Sequence, residues 1–236
     1  MISVRFEWGP AGAAAVAAPV TVVVDVLSFT TTLTVAVERG ISVYPLPWQH
    51  EDAEAYAAGR GAVLAGGRSE RAGVSLSPVS VRDAVGVERL VLPSPNGSAI
   101  CFGLASTGAT VVGASLRNAS AVARWVHGRG GEVAVVAAGE RWPDGSLRPA
   151  VEDLWGAGAV IAGLVDLGGA DLSPEARTAE QAFRGSGLPH NLVACTSGRE
   201  LVTAGFREDV AIAAELDAST AVPVLEGEAF VAAAQL

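Results

Sequence analysis

One carboxylate and a group of hydroxyls lie close together in residues 21–40, TVVVDVLSFTTTLTVAVERG. Asp25 follows three consecutive valines. Four hydroxyl residues come just after it: Ser28, Thr30, Thr31 and Thr32. A carboxylate at a turn suits a hard cation, and a helix amino terminus suits an anion. The alternative is that Asp25 and the threonines only cap the following helix. The segment therefore predicts either an anion site beside a carboxylate or an ordinary helix cap.

A second polar turn follows an apolar segment at residues 93–98, PSPNGS. The backbone amides of Asn96, Gly97 and Ser98 can point at an anion, because Asn and Gly tolerate positive φ. An ordinary Asn-Gly turn is the commoner structure for such residues. Four arginines in or beside the polar loops could grip a phosphate or sulfonate, or lie solvated at the surface: Arg68, Arg71, Arg117 and Arg141.

A third polar turn, residues 139–153, holds Glu140, Glu152 and Asp153. Together with Asp25, these carboxylates suit Mg²⁺, which takes one or two of them with waters and a substrate phosphate. Such an ion can activate water and screen phosphate charge. Glu152 and Asp153 are consecutive, so on a helix they diverge by about 100° and only one is expected to face the ion. The alternative is that both are acidic first-turn residues at a favourable dipole end.

Spacing and composition argue against several other chemistries. A haloacid-dehalogenase phosphatase needs an aspartate two positions after its nucleophile, where this chain has Leu27. A cysteine phosphatase needs five residues between its cysteine and an arginine, but Arg199 follows Cys195 too closely. The three histidines are scattered and no HExxH motif supports a zinc hydrolase. The chain has no lysine, which removes the P-loop signature and Schiff-base chemistry.

Charge and hydropathy limit the partners. The net charge is −9 and no basic run occurs, so we expect neither nucleic acid nor an anionic membrane as a partner. The uncharged runs at 8–24 and 90–116 are interrupted by Gly, Pro and polar residues, so we expect no membrane span. Early charges at Arg5 and Glu7 argue against a secretory leader. Two cysteines without metal spacing favour a reduced compartment, so a cytoplasmic protein is expected.

The polar turns need a scaffold that brings them together. The 236 residues allow one large α/β domain or two smaller ones sharing a sheet. Strand-like and helical segments alternate, which predicts a largely parallel, layered sheet whose three polar turns converge at one edge. Residues 2–8 are predicted as an edge strand, 151–167 as a buried apolar helix, 66–80 as a polar loop and 221–225 as the final strand.

Four motifs occur in order along the chain: VVVDVLSFTTT at 22–32, SPNGSAI at 94–100, GASLRNASAVA at 113–123 and AAGERWPDGSLRPAVEDLWGAGAVI at 137–161. Together with Gly205, Asp209 and VPVL at 222–225, they resemble the 2-phosphosulfolactate phosphatase (ComB-like) family. Each motif is weak alone, whereas four in the family's order are specific.

The resemblance implies a Mg²⁺-dependent hydrolase that converts 2-phosphosulfolactate to sulfolactate and phosphate, a step toward coenzyme M. It implies one α/β unit over residues 1–236, built as two similar three-layer α/β/α subdomains with a boundary near 80–130. Asp25, Glu152 and Asp153 would be the catalytic and metal-binding carboxylates. The residues lining the anion site would be Thr30, Thr31, Asn96, Gly97, Ser98 and Asn118, to which the turns and loops add Ser28, Thr32 and Arg68. The apolar surplus is compatible with a homodimer.

Two departures from the family's pattern change charge. The family usually has Arg where this chain has Ser28, and its GGE segment ends here in Arg68. Loss of an arginine at a phosphate contact would cost about 2–4 kcal/mol of recognition unless Arg68 replaces it. A second hypothesis is therefore a catalytically silent binding protein for a phosphorylated or sulfonated metabolite. A third is an acidic scaffold subunit that responds to no small anion.

Overall fold

The computed structural model describes residues 1–68 and 73–234, in which ten strands form one sheet with helices on both faces. Arg71, one of the arginines considered for anion binding, lies outside the described residues. Within the described part of the chain, no helix combines the length and apolar character needed to cross a membrane.

Strands and helices alternate through most of the chain. The strands are β1 (Ile2–Trp8), β2 (Val20–Val24), β3 (Ser42–Pro47), β4 (Val63–Leu64), β5 (Arg89–Ser94), β6 (Thr110–Ala114), β7 (Gly131–Ala137), β8 (Glu140–Arg141), β9 (Leu147–Arg148), β10 (Ala170–Leu172), β11 (Pro223–Glu226) and β12 (Ala229–Ala232). The helices are α1 (Gly9–Ala15), α2 (Phe29–Glu38), α3 (Ala53–Ala58), α4 (Pro78–Arg82), α5 (Gly97–Leu104), α6 (Ala119–Arg129), α7 (Val151–Leu167), α8 (Pro174–Arg184), α9 (His190–Ala194), α10 (Thr196–Thr203) and α11 (Arg207–Ala213). A 3₁₀ turn, Leu116–Asn118, precedes α6.

The sheet consists of two parallel groups joined by an antiparallel hairpin. Its order is β10-β1-β7-β2-β6-β11-β12-β3-β5-β4, with β8 and β9 forming a separate hairpin. β11 is antiparallel to β6, β12 is antiparallel to β11, and β3 is antiparallel to β12. The group β3-β5-β4 therefore runs opposite to the group that contains β2 and β6.

This arrangement changes the reason for the predicted convergence of the polar turns. A single parallel sheet would place all three turns at one edge, but β5 runs opposite to β2. Sheets twist by about 20–25° per strand, so the five steps from β2 to β5 accumulate roughly 100° of rotation. The end of β5 nevertheless lies close to the end of β2, since the Gly97 amide at the start of α5 bonds to Asp25 and α5 packs against both β2 and β3.

The valines of β2 explain its position in the middle of the sheet. All five residues of β2 are buried. Val22 and Val24 pack in one hydrophobic cluster with α6, α7 and α8, whereas Val23 packs in the other with α2 and α5. A strand that is apolar at every position is suited to burial on both faces. The three-layer α/β/α architecture with mostly parallel strand pairing is thus confirmed.

The helix α7 has the predicted bounds and lies close against β2. A β-carbon at Gly156 would lie 2.7 Å from the Val24 side chain and 2.6 Å from that of Val26. Only glycine permits this approach, which brings the first turn of α7 to the end of β2. Glu152 and Asp153 lie in that first turn.

Two sequence-based expectations about strands need correction. Residues 2–8 form β1, but β1 lies between β10 and β7 and is not an edge strand, because residues 170–172 add a further parallel strand. The strand predicted at 221–225 is β11, and it is followed by β12, which the sequence analysis did not identify. Strands on both sides of residues 80–130 share the one sheet. The division into two subdomains stays a prediction.

Candidate active site

Asp25 lies at the meeting point of two helix amino termini. Its side chain follows β2 and the residue is only 4% exposed. The Phe29 amide at the start of α2 donates to Oδ1 at 3.2 Å, and the Gly97 amide at the start of α5 donates to Oδ2 at 2.8 Å. Burial raises the pKa of Asp25 to about 6, although the two amides and Arg68 favour the charged form. Asp25 is therefore a helix cap for α2 and also a buried carboxylate shared between two helices.

Gly97 is required here by space. Its φ is not in the positive range, and Asn96 has φ −114°, so the predicted use of positive φ in this turn is wrong. A β-carbon at position 97 would lie 2.7 Å from the Asp25 Cβ and 2.8 Å from its Oδ2. Glycine lets the α5 amide reach the carboxylate, and the anion that this amide binds is Asp25.

Asp153 ties two of the polar turns together. The Val26 amide donates to its Oδ1 at 2.7 Å and the Gly139 amide to its Oδ2 at 2.8 Å. Burial, followed by the charges of Asp25 and Glu152, raises the pKa of Asp153 well above its ordinary value. Because each oxygen already accepts a backbone amide, the side chain fixes the turn after β2 against the turn after β7.

Glu152 is buried beside Asp25 and Asp153 but, unlike them, accepts no hydrogen bond from a backbone amide of the described residues. The residue is 2% exposed, and its carboxylate lies within hydrogen-bonding reach of the Cys195 thiol. Its charge contributes to the raised pKa of Asp25 and Asp153. Burial, and then Glu152, raise the pKa of the Cys195 thiol to about 12. The consecutive residues Glu152 and Asp153 thus have different environments, in agreement with their divergence on a helix.

Glu140 completes the group of carboxylates; the sequence analysis counted it among those suited to Mg²⁺, but the family resemblance assigned it no role. It lies in β8, and its Oε2 accepts a hydrogen bond of 2.8 Å from Asn96 Nδ2. Burial, and next the charge of Asp25, raise the pKa of Glu140 to about 7. The feature of the sequence that pointed to Glu140 was its position directly after β7, in the third polar turn. The bond to Asn96 joins the second and third turns across the site.

A small polar cavity lies against these side chains. Its volume is about 240 Å³, and its lining consists of Asp25, Leu27, Ser28, Trp48, Arg68, Leu76, Ser94, Pro95, Asn96 and Glu140. Trp48 is 46% exposed and stands at the rim. A larger cavity of about 760 Å³ lies between α1 and α5, but none of its lining side chains is titratable. A third cavity, of about 530 Å³, is lined by Glu38 and Arg124 but by none of the predicted site residues. Of these three cavities, the small one is lined by the predicted residues Asp25, Ser28, Arg68 and Asn96, so it is the candidate active site.

Arg68 and Ser28, the two departures from the family's pattern, contact each other in this cavity. Arg68 Nη2 donates to Ser28 Oγ, and Nε donates to Asp209 Oδ2 at 3.1 Å. Arg68 also favours the ionised form of Asp25. The guanidinium of Arg68 therefore lies beside the position where the family usually carries its arginine.

The remaining predicted site residues are buried near the cavity but use their polar atoms internally. Thr30 Oγ1 donates to Asp25 O at 2.7 Å, Thr31 Oγ1 to Val26 O at 2.7 Å, and Thr32 Oγ1 to Leu76 O at 2.7 Å. Ser98 Oγ bonds to Leu46 and Leu92, and the Asn118 side chain bonds to Ser115 and Ala221. Gly97, these hydroxyls and Asn118 do not line the cavity, whereas Asp25, Ser28, Arg68 and Asn96 do.

The donor set of the cavity fits a cation that keeps most of its waters. No three His, Cys, Asp or Glu side chains among the described residues are grouped closely enough to hold a metal by themselves. Asp25 and Glu140 nevertheless line the same cavity, and the charge of Asp25 contributes to the raised pKa of Glu140. Mg²⁺ needs only one or two carboxylates, because waters and substrate phosphate complete its shell. The residues present therefore fit Mg²⁺ at this position.

These features define a three-layer α/β/α protein with a small cavity lined by the carboxylates of Asp25 and Glu140 and by the guanidinium of Arg68. Residues 11–228 match the family described as 2-phosphosulpholactate phosphatase. A protein of Deinococcus radiodurans named "Probable 2-phosphosulfolactate phosphatase" is 34% identical over 216 residues, which cover 87% of each chain. The chain belongs to the 2-phosphosulpholactate phosphatase family, and is a phosphoric monoester hydrolase.

Proposed function

We propose that this protein is a Mg²⁺-dependent phosphatase that hydrolyses 2-phosphosulfolactate to sulfolactate and phosphate. The observation that carries the proposal is the position of Asp25: a buried carboxylate held by the amides of α2 and α5, with Glu140 and Arg68 lining the same cavity. The family and the name of the Deinococcus relative support this substrate.

Asp25 and Glu152 are the metal ligands that we propose, with Asp153 in support. Asp153 gives both oxygens to backbone amides and so holds the two turns in place. Glu152 has no such bonds to described residues and stays available for a cation. When bound, Mg²⁺ supplies charge stabilisation for the phosphoryl oxygens and lowers the pKa of a water.

Glu140 is suited to move the proton that hydrolysis requires. The water oxygen forms a bond to phosphorus, the ester P–O bond breaks, and the water proton must leave while the alkoxide gains one. The Asn96 amide occupies Oε2 of Glu140, so Oε1 is the atom that we expect to exchange the proton. A pKa of about 7 makes this carboxyl able both to accept and to return a proton near neutral pH.

The phosphate contacts that we propose are two side chains that line the cavity, Ser28 and Asn96. The amides of Phe29 and Gly97 already bond to Asp25, so they hold the carboxylate in place. The other predicted binding residues support the site through the shape of the turns: Thr30, Thr31, Thr32, Ser98 and Asn118.

Three finer expectations belong to the same proposal. Cys101 and Cys195 are buried free thiols, which supports a reduced cytoplasmic location. A role in coenzyme M biosynthesis follows from the substrate that the family resemblance implies. A homodimer remains an expectation from the apolar composition.

Phosphate release from 2-phosphosulfolactate tests the proposal, measured with Mg²⁺ and with a chelator, beside a panel of other phosphorylated small acids. We expect turnover that requires Mg²⁺ and is lost by at least about a hundredfold in Asp25→Asn, because a carboxylate charge at the reaction centre is removed. Asp144→Asn, at an exposed position of the β8–β9 turn, is the matched control and should retain turnover.

Two outcomes would count against this mechanism. Retained turnover in a folded Asp25→Asn variant would remove Asp25 from the reaction. Silence of the wild type across the panel, together with stabilisation by phosphorylated or sulfonated acids, would favour the catalytically silent binding protein. No response to any small anion would favour the scaffold subunit.

A further inference from the structure

A buried aspartate on the helix α11 holds Arg68, the one arginine among residues 1–68 and 73–234 that lines the cavity. Asp209 lies in the first turn of α11 and is 1% exposed. Its Oδ2 accepts from Arg68 Nε at 3.1 Å and its Oδ1 accepts from Ser77 Oγ. A carboxylate is buried at high cost unless it is paired and hydrogen-bonded, and here both oxygens have partners.

These contacts fix the direction of the Arg68 side chain. Asp209 occupies the Nε side of the guanidinium, and Ser28 Oγ accepts from Nη2. Nη1 has no hydrogen-bond partner within residues 1–68 and 73–234. The Phe206 ring lies 5.8 Å from the guanidinium carbon and limits its movement on the α11 side. Arg68 lines the cavity, so the N–H groups of its Nη1 are the ones left to bond to a molecule bound there.

The cavity has opposite charges in its lining. Asp25 and Glu140 provide carboxylates, whereas Arg68 provides positive charge. The cavity volume of about 240 Å³ is suited to a small molecule. A substrate with a phosphate and a second acid group can place the phosphate near Asp25 and the second group on Arg68. The planar guanidinium suits a carboxylate or sulfonate because it can donate two parallel hydrogen bonds.

We infer that Asp209 is a positioning residue that holds Arg68 at the cavity to bind the second acid group of the substrate, a role that rests on the proposed phosphatase function. Arg68 then selects phosphate esters that carry a carboxylate or sulfonate over esters that carry none. Asp209 touches no substrate and acts through Arg68, and Ser77 holds Asp209 from its other oxygen.

The test compares two esters in the wild type, Asp209→Asn and Arg68→Gln. One is 2-phosphosulfolactate, which has further acid groups, and the other is phenyl phosphate, which has none. We expect both variants to raise KM for 2-phosphosulfolactate by at least about tenfold, because hydrogen bonds to a charged group are lost. The rise in KM should be at least about threefold larger for 2-phosphosulfolactate than for phenyl phosphate, because phenyl phosphate has no second acid group to lose. A KM increase that is equal for both esters would overturn the assignment.

The controls separate positioning from loss of fold. Glu208→Gln, next to Asp209 in the same turn but exposed and paired with Arg82, should leave both KM values unchanged. Arg68→Lys should recover part of the affinity for 2-phosphosulfolactate, because the charge returns without the paired donors. Should Asp209→Asn not fold, Ser77→Ala removes only the second support of Asp209 and should raise the same KM by a smaller factor. An unchanged KM in both Ser77→Ala and Arg68→Gln would overturn the assignment.

A binding measurement keeps this inference separate from the proposed function. Calorimetric titration with sulfolactate, which carries two acid groups and no phosphate, needs no turnover. We expect Arg68→Gln and Asp209→Asn to weaken sulfolactate binding by at least about tenfold, with inorganic phosphate binding unchanged. Equal sulfolactate binding by wild type and variants overturns the role of Arg68 even where phosphate is released. Weakened binding in a protein that releases no phosphate sustains that role and rejects the phosphatase.

Discussion

Asp25 and Glu140 bring two buried carboxyls to one small cavity. The backbone amides of Phe29 and Gly97 favour the charged form of Asp25, but burial outweighs them and raises its pKa to about 6. Glu140 lies near the charge of Asp25 and is raised to about 7. With pKa values of about 6 and 7, the two carboxyls repel each other when both are charged. Either a bound proton or a bound cation would relieve that repulsion near neutral pH.

Glu140 should make the protein less stable as the pH rises in the absence of metal. Its pKa of about 7 exceeds the ordinary value of 4.5, so the folded state keeps a proton that the unfolded state has lost. This contribution to stability is fully present below about pH 4.5 and is lost as the pH passes through about 7. The full difference corresponds to roughly 3 kcal/mol for an isolated group. Denaturant unfolding, measured in the presence of chelator from pH 4.5 to 8, should show that the free energy of unfolding declines.

The variant Glu140→Gln isolates this effect, because an amide does not titrate and can still accept from Asn96. We expect its unfolding free energy to fall less steeply over the same pH range. Glu54→Gln, at an exposed position of α3, should keep the wild-type slope. Identical slopes for wild type and Glu140→Gln would show that Glu140 titrates normally.

At the scale of elements, the site depends on three close approaches. The starts of α2 and α5 meet at Asp25, and the first turn of α7 reaches β2 because Gly156 has no side chain. The β8–β9 hairpin then adds Glu140, whose position is held by the bond to Asn96. Small residues at these contacts let backbone amides and carboxylates come within hydrogen-bond distance.

Gly97→Ala should damage both stability and turnover. The added β-carbon would lie 2.7 Å from the Asp25 Cβ, so α5 or Asp25 must move. Overpacking of this kind costs about 1–3 kcal/mol of unfolding free energy. Thermal unfolding and phosphate release both measure the result.

Gly103→Ala is the matched control in the same helix. A β-carbon at position 103 meets nothing within 4 Å, and alanine favours helix over glycine by about 0.5–1 kcal/mol. We expect this variant to be slightly more stable than wild type and equally active. A Gly97→Ala variant as stable and active as Gly103→Ala would contradict the packing at Asp25.

At the scale of the whole molecule, the antiparallel hairpin β11–β12 determines how the polar turns meet. It reverses the group β3-β5-β4 relative to β2, and the start of α5, directly after β5, still meets Asp25. The site is therefore assembled from segments before and after this reversal. Even α11, near the end of the chain, contributes Asp209.

Binding of Mg²⁺ should be visible as a change in global stability. A cation that binds the folded state alone raises the melting temperature, and at a hundred times its Kd the gain is about 2.7 kcal/mol. We expect a larger increase at pH 8 than at pH 5, because the carboxyl of Asp25, with a pKa of about 6, must lose its proton to bind the cation. Thermal unfolding at matched ionic strength measures this increase. Equal melting temperatures with Mg²⁺ and with chelator at pH 8 would reject the metal site.

Much of the local structure was predictable because it depends on residues close in sequence. The all-valine strand β2, the apolar helix α7 and the polar turns followed from periodicity and composition. The carboxylates that gather at the site were also identified, although Glu140 was left outside the predicted set. Asp209 was noted only as part of the family's closing pattern, since nothing near it in sequence indicates its partner 141 positions away.

The sequence by itself determined the class of fold, the family and the chemical character of the site, because hydrophobic periodicity, turn residues and motif order are local properties. Only the tertiary structure decided which polar groups are free to meet a ligand. In the structure, the amides of Phe29 and Gly97 donate to Asp25. The hydroxyls of the three threonines donate to backbone carbonyls, and Arg68 donates to Ser28. Hydrogen-bond partners are set by distances in space, and those distances depend on how the two halves of the twisted sheet pack together.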